Sequence, residues 1–140
     1  MEAFEKKVRD SFGQQLFMST LGAEMISVSP GNVELRFHFS PGLTQQNGFV
    51  HAGAVTSIMD SACGYAALTV APPEADVLSV EFKVNLLTPA VGESFIARAS
   101  VKRAGKRLAV CTADAFAVRA GEEKLIATML ATIMNMDSQA

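Results

Sequence analysis

The chain has 140 residues, 49% of them hydrophobic, with a formal net charge of −2 and two cysteines. That length fits a single domain spanning residues 1–140 with a core of its own. The charge, with no large basic face, argues against nucleic-acid binding, and no run of about 20 apolar residues is present to span a membrane. Cys63 and Cys111 sit in apolar surroundings without metal or disulfide spacing, so they read as buried thiols of a reducing compartment. The opening MEAFEKKVRD has no apolar run like that of a signal peptide, and a cytoplasmic location is expected.

Phe4, Val8, Phe12 and Leu16 recur every fourth residue among charged ones, which predicts an amphipathic helix that Gly13 ends or interrupts. Its expected role is packing alone. Leu21–Val28 leads into the turn Ser29-Pro30-Gly31-Asn32. Val33, Leu35, Phe37 and Phe39 then alternate with Glu34, Arg36 and His38, a half-buried strand that makes a hairpin with the segment before the turn. His38 falls on the polar side and is expected at the surface.

The organising stretch is Gln45–Leu68, QQNGFVHAGAVTSIMDSACGYAAL. Thr44–Gly48 has turn character. After the small residues Ala52 and Gly53, an apolar segment runs without proline to Val70, and Pro72-Pro73 closes it. Val55, Ile58, Met59, Ala62, Tyr65, Ala66 and Leu68 make this helix apolar on more than one face, so the rest of the chain must wrap it. Asp60 is the one formally charged residue between Phe39 and Pro73, and an ionised carboxylate in an apolar interior needs a partner or a cleft. Three readings stand: an N-cap with the helix starting at Ser61, a solvent-facing aspartate, or a working carboxylate.

Beyond the helix, Val77–Leu87 alternates Val80, Phe82, Val84 and Leu86 on one face with Ser79, Glu81, Lys83 and Asn85 on the other, until Thr88-Pro89-Ala90 interrupts it. Ser94–Lys102 and Arg107–Arg119 form a hairpin across Arg103-Ala104-Gly105-Lys106. Gly121-Glu122-Glu123 turns the chain into a last strand, Lys124–Met136. The order predicts an α+β fold in which a curled antiparallel sheet wraps one long central helix.

Several groups in this layout carry chemistry. A helix N-terminus at Ala52 and Gly53 offers aligned, unsatisfied N–H groups to a carbonyl oxygen, and small side chains let a substrate approach them. Asp60 supplies a carboxylate. His51 reads either as the partner of a nucleophile or as a hydrogen-bonding scaffold with its ring N–H fixed by backbone. Against the first, Cys63 lies about 18 Å further along a helix, and Ser57 and Ser61 lack a nucleophile elbow. Gly64, unfavourable inside a helix, suggests the close approach of a strand or a partner helix. Arg103, Lys106 and Arg107 read either as a solvated turn or as a site for phosphates.

The stretch NGFVHAGAVTSIMDSACGYAA resembles the signature of the hotdog-fold acyl-CoA thioesterases of the phenylacetate-pathway (PaaI-type) branch, G-x-x-H-G-G followed by an acidic residue on the central helix. VEFKVNLLTPAVGE and ARASVKRAGKRLAVCTADAF resemble the strand and basic hairpin of that family, so the similarity covers Leu21–Met134. The resemblance implies hydrolysis of acyl-CoA to a free acid and CoA, without a metal or redox cofactor. It places Asp60 as general base or nucleophile, Ala52 as the N–H that polarises the thioester carbonyl, Gln45 near the thioester, and Ser79 as a holder of the attacking water. Arg103, Lys106 and Arg107 would meet the phosphates of CoA. Ala52 replaces the first glycine of the motif, which keeps the N–H and narrows the acyl entrance. The implied assembly is a homodimer with sites shared between chains, pairing into a homotetramer. Two other readings belong to the same fold. A dehydratase or hydratase is one, disfavoured because no histidine follows Asp60. A non-catalytic acyl-CoA-binding module is the other.

Overall fold

The computed structural model describes residues 1–137. Two helices open the chain, α1 (Ala3–Gln14) and α2 (Leu16–Leu21). Strands β1 (Glu24–Ser29) and β2 (Asn32–His38) follow, then the central helix α3 (Ala52–Val70) and strands β3 (Ala75–Leu86), β4 (Ser94–Ala104), β5 (Leu108–Arg119) and β6 (Glu122–Asp137). All neighbouring strands pair antiparallel in one sheet, in the order β1-β2-β4-β5-β6-β3. The chain therefore leaves β2, crosses the sheet as α3 and re-enters at the opposite edge. Every strand touches α3. This is the α+β hotdog arrangement, a sheet curled around one helix.

The sheet accepts the helix closely because its inner face is built from small residues. Ala97 pairs with Ala115, Ala99 with Ala113, Ala115 with Ala127, and Cys111 with Ala131, all buried. Onto this floor α3 lays Ile58, Met59, Ala62, Cys63 and Ala66, each fully buried. The far end of α3 is tied down by Thr69, whose hydroxyl donates to Ala66 O at 2.6 Å and accepts from Gly31 N–H at 2.7 Å. Ala71 is extended, as a residue before proline must be, and the helix stops there.

The N-terminal helix departs from the expected four-residue repeat. Val8 is buried, but α1 ends at Gln14 and the chain restarts as α2, which leaves Leu16 81% exposed. Met18 and Leu21 enter the core instead. Leu21 thus belongs to a helix, and the first strand begins only at Glu24.

Strand β3 departs more consequentially. A bulge at Val80 sets Ser79 opposite Ile133 and Glu81 opposite Thr132. Consecutive β6 residues point to opposite faces, so Ser79 shares the helix-facing side with Ile133 while Glu81 looks outward. The simple alternation of β3, which grouped Ser79 with Glu81 and Lys83, fails at that residue. As the sheet edge, β3 also leaves its apolar residues uncovered: Leu78, Val80 and Leu86 are each 54% exposed and Phe82 is 43% exposed.

Candidate active site

The site starts at the N-terminus of α3. Its first residue is Ala52, capped by His51. Gly53 N–H donates to His51 Nδ1 at 2.7 Å, and His51 O accepts from Ala54 N–H at 3.0 Å and from Val55 N–H at 3.4 Å. One N–H of the first turn, that of Ala52, has no acceptor among the described residues. A helix N-terminus with a single uncommitted N–H is a donor aimed at whatever oxygen arrives there. The ring of His51 meets the backbone with its Nδ1 as acceptor, where the expectation had its ring N–H as donor, and the tautomer that accepts there carries its proton on Nε2. Gly53 is needed for this contact, since a Cβ there would stand 2.9 Å from Nδ1.

The turn before the helix is closed by Gln45. Its backbone O accepts from Gly48 N–H at 3.0 Å, and its Oε1 accepts from Asn47 N–H at 2.5 Å and Phe49 N–H at 3.2 Å. The carboxamide oxygen is thereby engaged, and the Nε2 donors remain. Gln45, His51 and Ala52 line one hollow of about 580 Å³ whose other walls are mostly apolar, among them Phe49, Val55, Leu86 and Ile126.

Asp60 lies in the middle of α3, which excludes its reading as an N-cap. It is half-buried rather than fully solvent-facing. Ser79 Oγ donates to Asp60 Oδ1 at 2.6 Å, a contact that depends on the bulge at Val80. The two line a second hollow of about 400 Å³, with Ser61, Gly64, Tyr65 and Leu68 from α3, Ser11 from α1 and Gln15 from the break between α1 and α2. The fold thus brings Asp60 to Ser79, and Gln45 to His51 and Ala52, but the two groups open on different hollows of one chain.

Ser11 of α1 and Gln15 of the α1–α2 break, in a segment expected only to pack, belong to this second hollow. Gln15 Nε2 donates to the Tyr65 hydroxyl at 2.8 Å, and Ser61 Oγ donates to Gln15 Oε1 at 3.3 Å. Ser11 lies in the last turn of α1 and Gln15 at the extended break after it, so their meeting at Tyr65 depends on where the helix ends rather than on a helical spacing.

Cys63 and Cys111 are buried, as expected. Burial, reinforced by Cys111 and Asp60, pushes the Cys63 thiol far above its ordinary value, and burial pushes the Cys111 thiol up to about 11. Neither supplies a thiolate near neutral pH. His38 is exposed, 3.1 Å from Glu24 Oε1. Arg103, Lys106 and Arg107 are exposed on the β4–β5 hairpin without an ion pair among the described residues. Lys106 and Arg107 border a groove with Pro72 and Glu74, beyond the C-terminal end of α3.

Comparison with known proteins adds to this geometry. A family model described as the thioesterase superfamily matches residues 47–123, a span that includes His51, Ala52, Asp60 and Ser79. A Saccharolobus solfataricus protein provisionally named an esterase is 31% identical over 126 residues, covering 90% of this chain and 81% of its own. The crystal structure of a thioesterase family protein from Silicibacter pomeroyi superposes with a TM-score of 0.95 at 53% identity, over 96% of this chain and 99% of that one. The E. coli PaaI protein from the phenylacetic acid degradation operon shares the fold, with a TM-score of 0.85 at 17% identity over 96% and 94% of the two chains.

Proposed function

The chain belongs to the thioesterase superfamily, and from that premise we propose that it hydrolyses acyl-CoA to a free acid and CoA at sites built between two copies of itself. Its class, a thioester hydrolase, follows from the family and sets aside the binding-module and dehydratase readings. The observation that carries the proposal is the Ser79–Asp60 hydrogen bond, which fixes a lone carboxylate in an otherwise uncharged helix.

In this reading Asp60 is the general base. Ser79 Oγ–H donates its hydrogen bond to Oδ1, so the lone pairs of Oγ are left to accept one. A water seated between Ser79 Oγ and Asp60 Oδ2 is held by both of its hydrogens, with a lone pair directed at the thioester carbon. Asp60 takes the proton as the C–O bond forms. The Ala52 N–H, assisted by Gln45 Nε2, receives the developing oxyanion. Collapse breaks the C–S bond, and the proton on Asp60 leaves with the CoA thiolate. The route calls on no metal or redox cofactor.

Ala52 and Asp60 are eight residues apart on one helix, about 12 Å along its axis, too far to serve one carbon atom. A two-fold axis that sets two α3 helices antiparallel brings Ala52 of one beside Asp60 of the other, twice per dimer. The unpaired edge of β3 and its uncovered Leu78, Val80 and Phe82 support this pairing. The outer sheet face, with Leu108, Leu125, Leu130 and Met134 exposed, suits dimers joining into a tetramer. Arg103, Lys106 and Arg107 would take the phosphates of CoA. Release of free thiol from a panel of acyl-CoAs by the wild-type protein and Asp60→Asn tests the proposal: activity in the first and its loss in the second are expected.

A further inference from the structure

Gly64 lies four residues on from Asp60, one turn along the same face of α3. Glycine is unfavourable inside a helix, and a close neighbour usually accounts for it. Here none does: beyond its chain neighbours and the backbone of its own helix, a Cβ built on Gly64 meets nothing within 4 Å, so no strand of its own chain requires the glycine. The absent side chain leaves space, and that space belongs to the hollow that contains Asp60 and Ser79.

We propose that this space receives the acyl group, that Gly64 sets its size limit, and that it selects a neutral acyl group carrying a hydrogen-bonding oxygen. The inference rests on the thioesterase reading above. The hollow has a floor of buried Tyr65 and Leu68, which fits a terminal group, whereas the CoA arm must continue outward to place its phosphates in solvent. Its walls carry polar groups beside Val77 and Leu78. The Tyr65 hydroxyl is 2.8 Å from Gln15 Nε2 and 3.3 Å from Ser11 Oγ, and Ser61 Oγ is 3.3 Å from Gln15 Oε1. A plain alkyl chain would strip these groups of water without replacing its hydrogen bonds; a hydroxyl or carbonyl replaces them. Asp60 and Asp76 both border the hollow, and two carboxylates disfavour an acyl group that bears a third.

The test compares acetyl-, butyryl-, 3-hydroxybutyryl- and succinyl-CoA with the wild-type protein, Gly64→Ala and Gly64→Val, together with melting temperature and oligomeric state. In the wild type, 3-hydroxybutyryl-CoA should exceed both butyryl- and succinyl-CoA in kcat/KM. Gly64→Val should lower the ratio of kcat/KM for 3-hydroxybutyryl-CoA to that for acetyl-CoA by about tenfold or more. Gly64→Ala should melt higher than the wild type, because it adds a helix-favouring methyl to open space. An unchanged ratio in Gly64→Val overturns the proposal while leaving the thioesterase reading intact. So does a lower melting temperature or a dissociated assembly in Gly64→Ala, either of which would mean that a partner chain fills the space. A wild-type protein that turns over no acyl-CoA defeats both.

Discussion

The Ser79 hydroxyl donates a hydrogen bond to Oδ1 of Asp60 at 2.6 Å, across the interface between the edge strand and the central helix. The bond holds the carboxylate in one orientation and turns the serine oxygen into an acceptor. Asp60→Asn keeps the shape and removes the base, so kcat should fall by about 10² or more with folding retained. Ser79→Ala should cause a smaller loss, carried in kcat, because the base survives while its water is less well held. Unchanged turnover in Asp60→Asn would remove the carboxylate from the mechanism.

The hairpin cations give a second prediction. Arg103, Lys106 and Arg107 lie on an exposed turn. Replacing all three with alanine should raise KM for an acyl-CoA more than for the same acyl group on pantetheine, and added salt should weaken the wild type toward the variant. Equal effects on both substrates would return the cluster to a solvated turn.

The two thiols give a third. The native state keeps Cys111 protonated up to about 11, while a free thiol titrates near 9. Between those values the unfolded chain loses a proton that the native chain holds, so this residue lowers stability as pH rises and leaves it unaffected below. Urea unfolding midpoints at pH 7.5 and pH 10 should therefore drop more in the wild type than in Cys63→Ala/Cys111→Ala. Native protein should also resist a thiol reagent that labels both cysteines after denaturation, which keeps the thiol-release assay clean. Rapid labelling of the native protein would contradict the burial of Cys63 and Cys111.

The sequence carried the fold because its strongest signals were periodic and uninterrupted. The helix from Ala52 to Val70 is apolar on several faces and stopped by Pro72-Pro73, and such a segment has few alternatives. The β4–β5 and β5–β6 hairpins showed themselves through Gly105 and Gly121. What escaped was set by partners distant in sequence. The bulge at Val80 exists only against Ile133 and Thr132, so no local pattern tells that Ser79 faces the helix. The tautomer of His51 follows from Gly53 N–H, a contact between two residues whose types permit either direction. Leu16 kept the spacing of the apolar stripe, yet the chain breaks at Gln15 and swings it outward.

The claim that each site joins two chains is tested most directly by complementation. Ala52→Pro removes the uncommitted N–H at the first position of α3, where proline is well tolerated and no internal hydrogen bond is lost. Asp60→Ala removes the carboxylate. Each variant alone should be inactive. In a mixed dimer one site collects both defects and the other collects neither, so co-expression with random pairing should restore roughly a quarter of wild-type activity. Restoration at that level is the result predicted here; chains shown to form mixed dimers that remain inactive would place the whole site within one copy and contradict the account.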